Sequence, residues 1–436
     1  MTVHRHKNIT VTGWNNRSIG LLTRRLLTDR HGKITGRHWL TFSGIALGVF
    51  ALLTVSTVMN GFDRDMRQRI IGTRAEIRVD NKDASPLVDY TKLISSLEKH
   101  PAVKAASPVV RNELMLVKGS AMAATVCFGI DLERHRRVSP VLLPLSQEQL
   151  NQADKHWVQG IVNGSPQTGD LEHNGIIIGS ELALNLGVVR GDTLALISPL
   201  GTVPTPLGLL PRTRQVVVVG IFVAGMPEYD RLYSYISLEN GQFFSGYGNQ
   251  ADHIDLKTNH PNRLFKNTHI LQAAFPAYRV QNWSAFDSSL FNAMHFEKFL
   301  MLTVLSLMFV IAAFNMSGNI YRSIVLKRRT IGVLKTVGFR NSELVRLFFG
   351  QGLLVTLAGI VTGILAALVF IVLQASFDLI QLPVGNMPNL IIPVHPRIAD
   401  FVVIPLAALL ISSLSIWLPA RKAASIDPIR LIRETV

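Results

Sequence analysis

The chain has 436 residues, 48% of them hydrophobic and only 17% charged, with a formal net charge of +15; ordinary soluble domains carry roughly 25% charged residues. Its apolar residues gather in four long blocks without Lys, Arg, Asp or Glu, which excludes a wholly soluble protein. The basic excess is split over segments flanking those blocks, which argues against a nucleic-acid surface, and the one cysteine, Cys127, excludes an intramolecular disulfide.

The first 37 residues form an N-terminal segment in which Ile19, Leu22 and Leu26 fall at helical spacing between Arg24 and Arg25. That pattern predicts a short amphipathic helix, either lying on the inner leaflet or packed on a partner. The first span is expected at 38–60, since His38 to Asn60 reaches the ~20 residues a crossing helix needs. It begins too late and runs too long for a cleaved signal, so it reads as an uncleaved anchor.

Residues 61–295 form the large domain, and both secondary-structure periods occur in it. Tyr90, Leu93, Ile94 and Leu97 make a helical stripe, whereas Glu113–Val117 and Ala124–Ile130 read as strands. Gly175–Gly179 reads as a strand followed by a short helix through Leu186, and Asp192–Ser198 and Gln215–Phe222 are strongly β. A helix near Pro261–Ala274 sits between further strands at His253–Lys257 and Tyr278–Asn282, and another helix from Ser284 to Glu297 leads into the second span. The domain is therefore α+β, with two small lobes as one arrangement.

Between the strands at 192–198 and 215–222, residues 199–214 hold four prolines, two glycines and five aliphatics. Proline fixes φ and removes a donor, so this tip is expected to be stiff and unable to pair as a regular strand. A rigid apolar projection suits docking, because little ordering entropy remains to be lost; a loop tucked against its own domain is the other reading.

The remaining spans are expected at 296–321, 347–376 and 400–420. They are joined by a basic connection at 322–346 and a loop at 377–399, and followed by a tail at 421–436. Within the connection, Ile331–Arg340 has helical apolar periodicity between Gly332 and Gly338, a lateral helix offering Leu334 and Val337 to a soluble partner or an anchoring loop on lipid phosphates. Gly44 and Gly48, and again Gly359 and Gly363, have the spacing that lets helix backbones approach, and Asn315 is a polar group in the second span for which a structural hydrogen bond is expected. Residues 1–40 carry eight Lys/Arg against one acid, 62–295 are balanced at 23 against 22, and the chain from 296 carries 13 against six. The excess marks the cytoplasmic side, so both termini and the connection are expected inside and the large domain outside.

The chain holds no G-x-x-x-x-G-K-[ST], H-E-x-x-H or G-x-S-x-G, and the 13 histidines are scattered. No catalytic residue, metal site or cofactor is expected, and any work must be powered through a partner.

The order of one span, a large domain and three spans resembles the FtsX/MacB-type permeases of ABC transporters, and more closely the LolC/LolE lipoprotein-releasing family. The likeness rests on Ser43–Val49 with Val58–Phe62, Gly175–Ala183, Gly191–Leu194, Thr205–Arg212, Val218–Phe222, Gly225–Asp230, Ala312–Asn315 and Leu418–Ala424 with Asp427-Pro428. Where the family often has Glu-Lys-x-x-Glu-Ile, this chain has the basic run Leu326–Ile331, and Pro227 stands where an aromatic is common. The resemblance implies a type VII, MacB-like transporter subunit with four transmembrane helices. A MacB-like efflux subunit and an FtsX-like subunit regulating a cell-wall hydrolase are the alternatives. It also implies a carrier-binding hook at Val203, Pro204, Pro206, Leu207, Leu209, Leu210, Pro211 and Arg212, and ATPase coupling through Ile331, Leu334, Lys335, Val337, Gly338, Phe339 and Arg340. Val55, Met59, Phe62, Phe299 and Thr303 are implied as lipid-cavity positions. The implied partners are a LolD-like ABC ATPase that binds the ATP and magnesium, a second permease subunit, identical or different, a LolA-like periplasmic carrier, an acylated lipoprotein and membrane lipids.

Overall fold

The computed structural model describes residues 36–152, 158–205, 208–260, 263–286, 288–336, 338–384 and 387–424. The amphipathic helix expected at Ile19–Leu26 and the motif at Asp427-Pro428 lie outside the described residues. In chain order the elements begin with α1 (Gly36–Thr73), β1 (Ile77–Asn81), α2 (Tyr90–Glu98), β2 (Val103–Lys118), β3 (Ala121–Ile130), α3 (Leu132–Val138) and α4 (Gln147–Gln152). They continue with β4 (Gly160–Asn163), α5 (Thr168–Glu172), β5 (Gly175–Gly179), α6 (Ser180–Leu186), β6 (Thr193–Thr205), β7 (Gly208–Val223), α7 (Pro227–Leu232) and β8 (Tyr233–Ser237). Next come α8 (Leu238–Ser245), β9 (His253–Thr258), α9 (Leu264–Ala274), β10 (Tyr278–Asn282) and α10 (Trp283–Phe286). The rest is α11 (Ser288–Leu326), α12 (Arg328–Thr336), α13 (Asn341–Phe377), β11 (Gln381–Val384), β12 (Met387–Ile391) and α14 (Ile398–Ala424).

Two compact units result. One takes the chain up to Phe62 with His295–Leu379 and the part from Ile392 onward; the other takes Asp63–Met294 with Ile380–Ile391. The first unit holds the apolar parts of α1, α11, α13 and α14, each long and apolar enough to cross a membrane, with mean hydropathy from 2.0 to 2.7 over their best windows. At 38 and 39 residues, α1 and α11 run well past the expected boundaries. Hydropathy marks only the ~20 residues that meet hydrocarbon, and nothing stops a helix from continuing with polar residues beyond them. The glycine spacing in the third span finds its partner: a Cβ on Gly363 would lie 2.7 Å from the Ala46 carbonyl oxygen, and one on Gly359 3.1 Å from Ile45. The backbone of α13 therefore lies directly against α1, as small residues permit in hydrocarbon. The polar tie seen in the second span comes from Asn319, whose amide donates to Thr41 Oγ1 on α1. The Asn315 side chain lies outside the described ones.

The second unit is one domain built on a single ten-stranded sheet, in the order β10-β1-β9-β2-β3-β8-β5-β7-β4, rather than two lobes. β6 bonds both β2 and β7, so β2-β3-β8-β5-β7-β6 closes into a ring. Side chains alternate across strands, and the ring has two apolar faces. Ile176, Ile178, Leu194, Val216, Val218 and Ile236 share one buried cluster, while Ile177, Phe222, Tyr233 and Tyr235 belong to the other. That is why Gly175–Gly179 reads as a continuous apolar run: it is buried on both sides. The stripe Tyr90, Leu93, Ile94 and Leu97 on α2 is buried as its spacing requires. Two histidines of the scattered set, His135 and His253, are buried in this domain, and burial holds both below their ordinary pKa and therefore neutral. Among the described residues no group of three or more His, Cys, Asp or Glu is placed to hold a metal ion.

Candidate functional site

Three places in the two units concentrate the sequence's candidate residues. The first is the ribbon formed where β6 and β7 continue past the ring. Its ladder runs Thr202↔Pro211, Val203↔Leu210, Pro204↔Leu209 and Thr205↔Gly208, so the expectation that prolines prevent pairing is corrected. The reason is register parity. A closing pair across a two-residue connection exchanges both of its hydrogen bonds, and hydrogen-bonded and non-bonded pairs then alternate. Pro204 and Pro211 therefore stand in non-bonded pairs, where a strand nitrogen points away from its partner, and their rings remove no ladder bond. They remove outward donors instead, one on each free edge, which guards the ribbon against strand addition. What the ribbon offers a partner is side chains. Leu210 and Pro211 are exposed. Pro206 and Leu207 lie outside the described residues, as do the side chains of Val203, Pro204 and Leu209.

Arg212 belongs to the root of the ribbon rather than its tip. It faces a register shift at which residues 198–201 of β6 are unmatched. Its Nη1 donates to the Phe243 carbonyl at 2.6 Å and to the Phe244 carbonyl at 3.3 Å. Arg214 stacks over the Phe243 ring at 4.1 Å and donates to Asn240 Oδ1. Two arginines thus fasten the ribbon to α8.

The second place is the connection after α11. α12 ends in a Schellman arrangement: Gly338 N–H donates to the Lys335 carbonyl, Phe339 N–H donates to the Leu334 carbonyl, and Gly338 takes φ +98°. The next helix starts at once, with Glu343 Oε2 accepting from Arg340 N–H at 2.8 Å. Ile331 is buried with Ile320, Ile324, Leu344 and Phe348, and Leu334 packs against them. Phe339 is buried too. Three of the side chains expected to meet a partner, Ile331, Leu334 and Phe339, thus pack on the chain's own helices. The face left open carries Val333, 57% exposed, with Thr330, Thr336, Gly338 and Arg340; Lys335 is half-buried and Val337 lies outside the described residues. Sequence reading passed over Val333, although its offset of two from both Ile331 and Lys335 put it on the opposite face.

The third place is the candidate lipid cavity. Met59 is buried, Val55 and Phe62 are half-buried, and Phe299 and Thr303 are exposed on α11. These five do not share one open face. Thr303 turns its hydroxyl back to the Phe299 carbonyl at 2.8 Å, as a threonine in an apolar helix does.

Two segments that resemble the family's motifs meet inside the domain. Gly179, between β5 and α6, touches the backbone of Asp230 at the end of Gly225–Asp230. Asp230 Oδ1 accepts the Ala224 N–H at 2.5 Å, and Arg69 donates to the Gly225 carbonyl. Gln159 ties the same stretch to α1 through Thr73 Oγ1 at 2.7 Å. Burial, with a smaller contribution from Glu181, pushes the Asp230 carboxyl up to about 7 against the pull of its backbone donors and Arg69. A folded-state pKa raised above the unfolded one gives stability that is present below about 4 and lost as pH rises through 7. Asp230→Asn keeps the acceptor without the charge. Its melting temperature relative to wild type is therefore expected to rise between pH 4.5 and 7 and to level off above, and a pH-independent difference would disprove the assignment.

Four membrane-crossing helices with a large α+β domain between the first two define a multi-pass membrane protein of permease type. Residues 39–264 match the family described as "MacB-like periplasmic core domain" and residues 302–428 the one described as "FtsX-like permease C-terminal". The chain is 28% identical over 414 residues to "Lipoprotein-releasing system transmembrane protein LolC" of Xylella fastidiosa (strain 9a5c), covering 93% of this chain and 95% of the relative. The protein of the same name in Neisseria meningitidis serogroup B (strain ATCC BAA-335 / MC58) is 28% identical over 417 residues, with the same coverage of 93% and 95%. "Lipoprotein-releasing system transmembrane protein LolE" of Haemophilus influenzae is 24% identical over 402 residues, 89% of this chain and 92% of the relative. Among solved structures, the periplasmic region of MacB from Actinobacillus actinomycetemcomitans matches with a TM-score of 0.31 and 12% identity, over 51% of this chain and 95% of that one. The MacB-like match alone takes in more than half the residues, so the chain belongs to the FtsX/MacB-type permeases, and within them to the LolC/LolE family.

Proposed function

We propose that this chain is the membrane subunit of an ATP-driven, MacB-like ABC transporter that extracts lipoproteins from the inner membrane and passes them to a periplasmic carrier. The observation that carries the reading is the similarity to LolC along 93% of the chain, through both the spans and the inserted domain. In this reading the β6–β7 ribbon docks a LolA-like carrier, and the open face of α12 meets a LolD-like ATPase. Two such membrane subunits, identical or different, flank the lipoprotein's acyl chains. The Lys/Arg excess on the flanks supports termini and α12 on the cytoplasmic side. ATP and magnesium belong to the ATPase. This chain transmits its motion and performs no covalent step.

The ribbon supplies the test. Deleting Val203–Pro211 leaves Arg212 to hold the root on the Phe243 carbonyl. Capture of purified carrier by the assembled transporter is expected to fall at least ~30-fold, the loss of a binding hot spot, while the ATPase still co-purifies. Wild-type carrier capture by the deletion variant would refute the docking role.

A further inference from the structure

At the ends of the spans that lead into the inserted domain, the membrane unit holds a polar knot. Ser56 and Asn60, one turn apart on α1, both donate to Oδ2 of Asp400 in the first turn of α14, at 2.7 and 2.6 Å. The His395 N–H donates to the Thr57 carbonyl at 3.1 Å. A Cβ on Gly61 would lie 2.2 Å from the Pro393 carbonyl oxygen, so the segment entering α14 lies flat on α1. The other end of the Asn60 amide, Oδ1, accepts from Lys298 Nζ of α11 at 2.9 Å. Asn60 is 1% exposed.

The two joints that meet at Asn60 differ in strength. The α1–α14 joint has a carboxylate with two donors, a backbone hydrogen bond and a backbone contact that only glycine allows. Both donors serve a charged acceptor, which makes these the stronger kind of hydrogen bond, and Asp400 is half-buried, so losing them leaves its carboxylate poorly solvated. The α1–α11 joint at this level includes one charge-assisted hydrogen bond to the Asn60 amide oxygen, made by an ammonium at the tip of a flexible four-carbon stem, with no backbone contact beside it of the kind Gly61 makes. Around it on α11, Phe296, Phe299, Leu300, Met301 and Val304 are exposed, and Leu302 is only partly buried. Little packing backs that bond, and it is the joint that gives first.

We propose that Lys298 and Asn60 form a releasable latch closing the second span against the first, with Asp400 holding the Asn60 amide in the orientation that receives the lysine. The fourth span is then a fixed support of the first, and the second span is the mobile member. The latch follows from the span geometry and does not depend on which cargo the transporter carries.

Nitroxide pairs on the full chain in lipid nanodiscs test it, diluted with unlabelled chain so that intrachain distances dominate. One pair joins Arg64→Cys to Phe296→Cys and reports α1 against α11. The other joins Arg64→Cys to Val402→Cys and reports α1 against α14. Cys127 is fully buried and is spared by the label. Lys298→Met keeps the apolar stem and removes the donor. It is expected to broaden the 64–296 distribution toward distances longer by ~5 Å, about half a helix diameter, and to leave the 64–402 distribution unchanged. An unchanged 64–296 distribution overturns the latch. Equal broadening of both pairs overturns it too, since that reports general loosening.

Discussion

If α12 docks an ATPase as proposed, Val333→Asp is expected to weaken that docking, with at least ~30-fold less ATPase recovered on pull-down of the assembled chain, as for a hot-spot residue of an interface. Val333 is the large apolar side chain that α12 leaves open, 57% exposed on a helix whose opposite side is buried against α11 and α13. An aspartate there perturbs nothing in the folded chain, since it faces away from the core. Once an interface closes over it, the carboxylate loses water without gaining a partner, which costs several kcal/mol. Val333→Leu keeps the apolar contact and should bind normally. Wild-type recovery of ATPase by Val333→Asp would remove α12 from the coupling role. Leu334→Asp and Phe339→Asp would be poor tests of the same idea. Both side chains pack inward, so their loss of ATPase would follow from a collapsed connection.

That contrast shows where reading a sequence succeeds and where it stops. The spans and the α2 stripe were plain, because apolar length and period translate directly into burial in lipid or core. α12 was visible as a helix, with Gly338 as its end. Its apolar side reads as open to a partner or to lipid, whereas Ile331 and Leu334 pack on the chain's own Ile320, Ile324 and Phe348. Period separates two faces of a helix but does not say what each one meets. The ribbon failed for a related reason. Four prolines read as a broken strand, yet whether proline breaks a ladder depends on the parity of pairing, and parity is set by the partner strand. Closure of the ring through β6 and β2 joins residues some 80 apart in sequence, and no local pattern announces it. In Val58–Phe62 the resemblance had marked Asn60 and Gly61 without a physical role. The structure gives them one each, a two-ended amide and a seat for a carbonyl.

The largest stability effect in the inserted domain is expected at Gly179. An ideal Cβ there would lie 2.1 Å from the Asp230 carbonyl oxygen and 2.7 Å from its carbonyl carbon, and both are backbone atoms. A flexible side chain could swing aside, but this backbone is pinned on each flank. Asp230 grips the Ala224 N–H, Arg69 grips the Gly225 carbonyl, and Tyr229 is buried in the core. The strand on the other side cannot retreat either, since Ile176, Ile177 and Ile178 are fully buried and face both clusters. Overpacking of a rigid site costs about 3 kcal/mol or more. Spread over a domain of ~230 residues, that lowers the melting temperature by roughly 6–12 °C. Cys127, buried in the ring and the chain's one thiol, reports the transition through its reactivity toward a maleimide on heating. Gly169→Ala is the matched control, because nothing lies within 4 Å of its added Cβ. If Gly179→Ala and Gly169→Ala expose Cys127 at the same temperature, the backbone contact between β5 and the Gly225–Asp230 segment does not constrain this domain. If they differ as expected, the two motifs are a single tight joint, and the ring from which the ribbon projects depends on it.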